Sequence, residues 1–386
     1  VAVRADATNT LTSSLTTQGG ALIRGESVQA TSAARSATRA TFDGSVLDST
    51  GASVTAEAAN TATANLKKQG GSLAEIANIQ AWAEIFDEAE TTARFGTGGL
   101  QVRTGGAVLI SAEASNRTDV ETDTVAGGLV GAGMGKPSSR VSNPTRAEFQ
   151  GRLVGGATVA ILAKAANTAL IRGGGLAAGL VGVSTLSPYA RIAASATTTA
   201  IVASGARISS PLAAVSLRAE TTNTATSRAG AVGAGLVGVD AADPQAEILN
   251  ATRAYLWGDI RGASEALPGA RTLDVVVAAL DTATAVLSST GGGVVRVGTG
   301  SATAKVDSDV VLELGRDVPS GTPASVIVVN GDIALTANHT PGAVSSTESE
   351  GGGAVNVDTN SARVTNTPDL RLEIHDRTKV TAYGSI

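Results

Sequence analysis

The chain has 386 residues, a net charge of −5, 16% charged and 2% aromatic residues, and no cysteine. Lack of cysteine excludes disulfides, thiolate catalysis and Cys-ligated metals. Without a Lys/Arg cluster or aromatic platforms there is no nucleic-acid footprint, and no apolar run reaches the ~18 residues of a membrane span.

The chain opens with VAVRADA, without Met or a signal peptide, already inside a repeat, which is the pattern expected of a mature fragment of a longer protein. A short alternating strand ends at Asn9, and copies of it end at Asn60, Asn116, Asn167 and Asn223. The next copy has Asp281, and the last has Asn338 or His339. Successive intervals are 51, 56, 51, 56 and 58 residues, then 57 or 58. The alternation makes the true unit a pair of 107 residues. Thr-Arg-Ala at Thr38, Thr145 and Thr252 repeats the same spacing independently. The pattern is regular over 1–270 and drifts over 271–386, which reads as a single elongated repeat domain over 1–386.

Within each copy, apolar residues alternate with polar ones. Val54, Ala56 and Ala58 share a face with Asn60, and Val215, Leu217 and Ala219 share one with Asn223. Period two with one apolar face is a half-buried strand, so the Asn points inward each time. The same parity selects His339 over Asn338. Glycine clusters follow, such as Gly127-Gly128, Gly173 to Gly175, and Gly230, and are expected to be turns before a second strand such as GLVGV. Residues 72–90 show helix-like spacing of Leu73, Ile76, Ile79 and Ile85, with a loop insertion or an irregular strand as the alternatives.

These features predict an all-β protein, a parallel β-helix whose narrow interior is filled by small side chains. A coil of ~20–30 residues makes the 55-residue repeat two coils, giving about 14 coils and a rod roughly 65–70 Å long. A seven-bladed β-propeller is the alternative. Asn9, Asn60, Asn116, Asn167, Asn223, Asp281 and His339 are predicted to stack as an internal ladder, interrupted on every second coil. A buried amide is costly unless bonded, and stacked amides bond to each other and to turn backbone.

Chemistry-bearing clusters are few. Asp119, Glu121 and Asp123 read as a solvated acidic turn or a weak Ca²⁺ loop. His339 and His375 lack ligand spacing, and no G-x-S-x-G occurs, so no catalytic residue, metal or cofactor is expected. Arg253, Glu148 and Asp259 are the residues a carbohydrate-active face would use, but nothing in the sequence groups them. Trp82, Tyr255 and Trp257 are rare bulky side chains, read as packing or contact residues.

The pattern VTAEAANTATA, then GGGLAAGLVGV, then TRA, resembles the repeat stretches of giant bacterial secreted β-helix proteins, the filamentous-haemagglutinin-like and autotransporter-type adhesins. The resemblance implies an exported, non-catalytic structural or adhesive stalk at the bacterial cell surface or outside the cell. Partners expected on this basis are copies of the chain itself, or a host or cell-surface glycan or protein. Two other functions remain open, a subunit of a self-assembling extracellular fibre and a polysaccharide-binding or -cleaving β-helix.

Overall fold

A computed structural model describes residues 1–96, 101–316 and 325–386. Over these described residues the chain winds into seven stacked coils. One short strand per coil forms a seven-stranded sheet, and the other strands form a 20-stranded sheet. Neighbouring strands run parallel and in register, so the molecule is a parallel β-helix. Propeller blades are antiparallel, which removes that alternative.

The coil count differs from expectation. Asn9 lies beside Asn60, Asn60 beside Asn116, Asn116 beside Asn167, Asn167 beside Asn223, and Asn223 beside Asp281. Adjacent strands are thus one full repeat apart. Each repeat is one coil, and there are seven coils instead of about 14. Six steps of ~4.8 Å give a stack about 29 Å high, less than half the expected rod.

Coil 4 shows why one coil consumes so much chain. Its long strand, Thr158–Leu186, bends over at residues 179–180. Residues 158–178 alone supply ~70 Å of extended contour at ~3.3 Å each. The chain returns through Tyr189–Ile192, turns a corner into Thr198–Val202, rises through Arg207–Ser209, and enters coil 5. The coil is therefore broader than the stack is tall.

From coil 3 on the bend is made at glycine, whereas coils 1 and 2 carry Ala21 and Ser72 in the same column. Gly128 and Gly235 have φ of 144° and 152°. A Cβ on Gly128 would sit 1.5 Å from the carbonyl oxygen of Ser72, and one on Gly235 would sit 1.9 Å from that of Gly179. In these coils the bend thus presses the backbone onto the coil before it. Gly173 to Gly175 and Gly230, expected as turns, lie inside strands, and the bends come later, at 179–180 and 235–236.

Residues 72–90 form the strand Ala74–Ile85 and a 3-10 turn, Asp87–Ala89. Neighbouring coils supply the strands Ile23–Ala34 and Val130–Gly135 on either side, so helix would forfeit both ladders. Ala77, Ile79, Ala81, Ala83 and Ile85 are buried at period two, whereas Leu73 and Ile76 are exposed. Asp119, Glu121 and Asp123 are likewise on a strand, Gln101–Gly127, not on a turn or loop.

Two cores divide the interior. The first joins the start of the long strands (Ile110, Ile161, Leu217) to the short sheet (Phe95, Phe149) and the rising strands (Leu153, Ile208). The second lies between the far half of the long strands (Leu66, Ile171, Leu287) and the return strands (Ile79, Leu186, Ile192). Along the long strand the asparagine column marks the boundary between them.

Candidate functional site

Asn9, Asn60, Asn116, Asn167, Asn223 and Asp281 meet in one continuous column, and His339 reaches its end from a neighbouring position. Each Nδ2 donates to the Oδ1 of the next coil: Asn9 to Asn60 at 2.8 Å, Asn60 to Asn116 at 3.0 Å, Asn116 to Asn167 at 2.9 Å, and Asn167 to Asn223 at 2.9 Å. Asn223 then donates to Asp281 at 2.6 Å, and His339 Nε2 lies 2.7 Å from the other carboxylate oxygen of Asp281. One coil per repeat means that no rung is skipped, so the expected interruption does not occur. Asn60, Asn116, Asn167 and Asn223 are each only 1% exposed, and unbonded amides would be costly there.

The facing corner of the coil completes the bonding. Asn143 Nδ2 donates to Asn116 Oδ1 at 3.0 Å and to the carbonyl of Ala89 at 3.1 Å. Asn223 Nδ2 also donates to Asn250 Oδ1 at 3.0 Å. The short-sheet register aligns Ala89, Asn143, Ala196 and Asn250 down this corner. Alanine and asparagine alternate coil by coil. Over coils 2 to 5 that alternation is one physical content of the 107-residue unit, since every second rung there has an asparagine partner on the opposite wall, and in coil 6 Ser308 takes the place.

Asp281 ends the amide series for a reason of valence. A carboxylate only accepts. Here it takes donors from Asn223 Nδ2 and Ser308 Oγ, and the contact with His339 Nε2 makes that nitrogen the third donor. The backbone register differs from the sequence reading at this rung. Pro341, sixty residues on, pairs with Asp281, and His339 pairs with Ala279. The imidazole reaches diagonally to the column from two residues upstream.

Parity contains a signal that sequence reading passed over. Lys68 and Glu75 sit at inward positions and are fully buried as an ion pair, with Glu26 3.7 Å from Lys68 Nζ. Arg296, also fully buried, pairs with Asp240 at 3.0 Å and Asp358 at 2.7 Å, and contacts Ser289 and Ser349. Glu75 and Arg296 share one column, in coils 2 and 6. Between them the column holds Gly131, Gly182 and Gly238. At Gly182 a Cβ would lie 2.6 Å from the oxygen of Ala177 and 2.7 Å from that of Ala234. The arm is pinched shut by glycine in its middle coils. Near both ends it is wide enough for charged side chains, which are paired because a lone buried charge is prohibitive.

The remaining candidates do not converge. His375 Nε2 meets Glu313 at 2.7 Å, and Glu313 also accepts from Trp257 Nε1 at 3.2 Å. Trp257 stacks on Tyr255 at 4.5 Å. Glu148 pairs with Arg146 in coil 3, Arg253 is in coil 5 with the strand Thr198–Val202 between them, and Asp259 pairs with Arg261. Asp119 pairs with Arg117, and Glu121 lies 3.9 Å from Lys67. Among the described residues no group of three or more His, Asp or Glu is arranged to hold a metal ion. Comparison of the chain with family models, curated proteins and solved structures gives no match.

Proposed function

We propose that this chain is a non-catalytic structural and adhesive module displayed at the bacterial cell surface or outside the cell. The observation that carries the reading is where its polar chemistry goes: amides and buried charges are spent on bonding one coil to the next. The likeness of its repeats to secreted β-helix adhesins supports the location. Each coil uses 51 to 60 residues for ~4.8 Å of height. Such coils build breadth instead of reach, so a plate-like module fits better than a long stalk. Antibodies raised against the chain should label intact source cells or their secreted fraction. Label that appears only after permeabilisation would overturn the reading.

A second reading, a fibre subunit, is favoured by a charge match between coil 1 and coil 7. Arg24 shares a column with Arg296, and Asp358 shares one with Asp240. A second copy placed below coil 1 would therefore offer Asp358 to Arg24, whose Nη2 pairs with Glu26 at 2.6 Å and whose Nη1 is buried without a partner. Thr8→Cys with Thr340→Cys, in a chain lacking cysteine, tests this. Ladders of disulfide-linked oligomers support the fibre, and their absence removes it.

A further inference from the structure

One side of the arm is aliphatic along the whole stack. The bend places Leu22, Leu73, Leu129, Leu180, Leu236 and Val294 in one column. They are 49% to 74% exposed, and they form a ridge through six coils. Beside the ridge runs an outward column of Ile23, Val130, Val181, Val237, Val295 and Val355, and beyond it one with Ile76, Val183, Val239, Val297 and Val357. The outward column after that is also uncharged, from Ser27 and Asn78 through Met134 and Thr185 to Thr359. The other side of the arm differs: Lys67, Glu121, Asp123, Arg172 and Arg228 are on the outward positions of the long strands near the bend.

The same motif explains both features. In GLVGV, the first glycine makes the bend against the coil before, the second faces inward where the sheets pinch, and Leu and Val face outward. The inner glycines are required by close approach, but nothing inside the molecule requires the outer residues to be aliphatic.

We infer that this face is a self-association surface, on which a second copy of the chain packs its own identical face. Two arguments select that occupant. The first is area. With the ridge about half exposed and several of the flanking valines less so, the three columns present on the order of 1,000 Å² of apolar surface, well beyond the few hundred Å² usual for a monomer. Two such faces reach the size of a stable interface, ~1,600 Å² in total. The second is match. The face is flat, uncharged and ridged at the coil spacing, so an identical face offers the same period over the same length, and sheets pack face to face at ~10 Å. A two-fold arrangement puts the central coil against itself, so Leu180 of one copy lies near Leu180 of the other. The inference goes beyond the proposed function and holds wherever the protein acts.

The test uses the full chain in sedimentation velocity over a concentration series. The native chain should form dimers. Leu129→Glu, Leu180→Glu and Leu236→Glu combined should weaken association about 100-fold or more, because three charges would be buried without partners. These side chains are outside both cores, so the circular dichroism spectrum and melting temperature of the variant should stay native. Leu180→Cys should join two copies through a short thiol cross-linker. A native chain that is monomeric at ~100 µM, or one that dimerises equally with the three glutamates, overturns the inference. A monomer that instead floats with neutral phosphatidylcholine vesicles also overturns it, and reassigns the face to lipid.

Discussion

The asparagine side chain suits this ladder because it carries donor and acceptor on one rigid plane. At the coil spacing its Nδ2 reaches the Oδ1 above while its own Oδ1 accepts from below. Leucine at Asn223 would leave Asn167 Nδ2 without an acceptor and would remove the donor to both Asn250 and Asp281. Asn223→Leu should therefore lower stability by about 1–3 kcal/mol in urea titration. Equal or greater stability would mean that the amides contribute nothing net. Tyr189 gives a pH-dependent counterpart. Burial first, and then its bond to Glu247, push its phenol up to about 12. The unfolded phenol loses its proton near ~10. With the folded pKa raised, this side chain's contribution is complete below pH ~10 and is lost as pH climbs to about 12. The stability difference between the native chain and Tyr189→Phe should shrink across that window, and a constant difference would contradict the assignment.

Among the elements, the bend is set by backbone contact more than by side chains. Gly235→Ala places a methyl against the Gly179 carbonyl at a positive φ, and should cost about 1–3 kcal/mol in thermal melts. Gly105→Ala meets nothing within 4 Å and should be neutral or slightly stabilising. A similar loss in both would show that the penalty is one of composition, not of the close approach. The stretch 72–90 carries the same lesson from the other direction. Its helical spacing is real, yet two neighbouring coils offer it a full set of parallel backbone partners. A strand that satisfies both edges outweighs a helical face made by Leu73 and Ile76, which end up in solvent.

For the whole molecule, the pair of coils is the unit that keeps the opposite-wall asparagines in step. Deleting 108–214 joins Ala107 to Val215, which occupies the same column as Val108. The shortened chain keeps the alternation of Ala89 and Asn250, and should fold with a cooperative melt and a stack about 10 Å shorter by small-angle scattering. Deleting only 108–158 sets Ala89 next to Ala196 and removes Asn143, so it should melt lower than the two-coil deletion despite being the smaller change. The reverse order would separate the 107-residue period from the corner asparagines.

Parity alone determined much about this protein: half-buried strands around small side chains, an inward column of Asn9, Asn60, Asn116, Asn167, Asn223 and Asp281, and the inward side of His339. Residues two apart on a strand must share a face, so inward and outward are written locally. The buried Lys68, Glu75 and Arg296 were equally legible by that rule. Coil count was not, because a repeat length says how much chain recurs and not how many times it turns in between. Only the tertiary register decided that one repeat makes one coil, that the bend falls at Gly235 instead of Gly230, and that Pro341, not His339, is in line with Asp281. Those outcomes depend on which backbones lie 4.8 Å apart, a relation between residues more than fifty positions distant that no local pattern encodes.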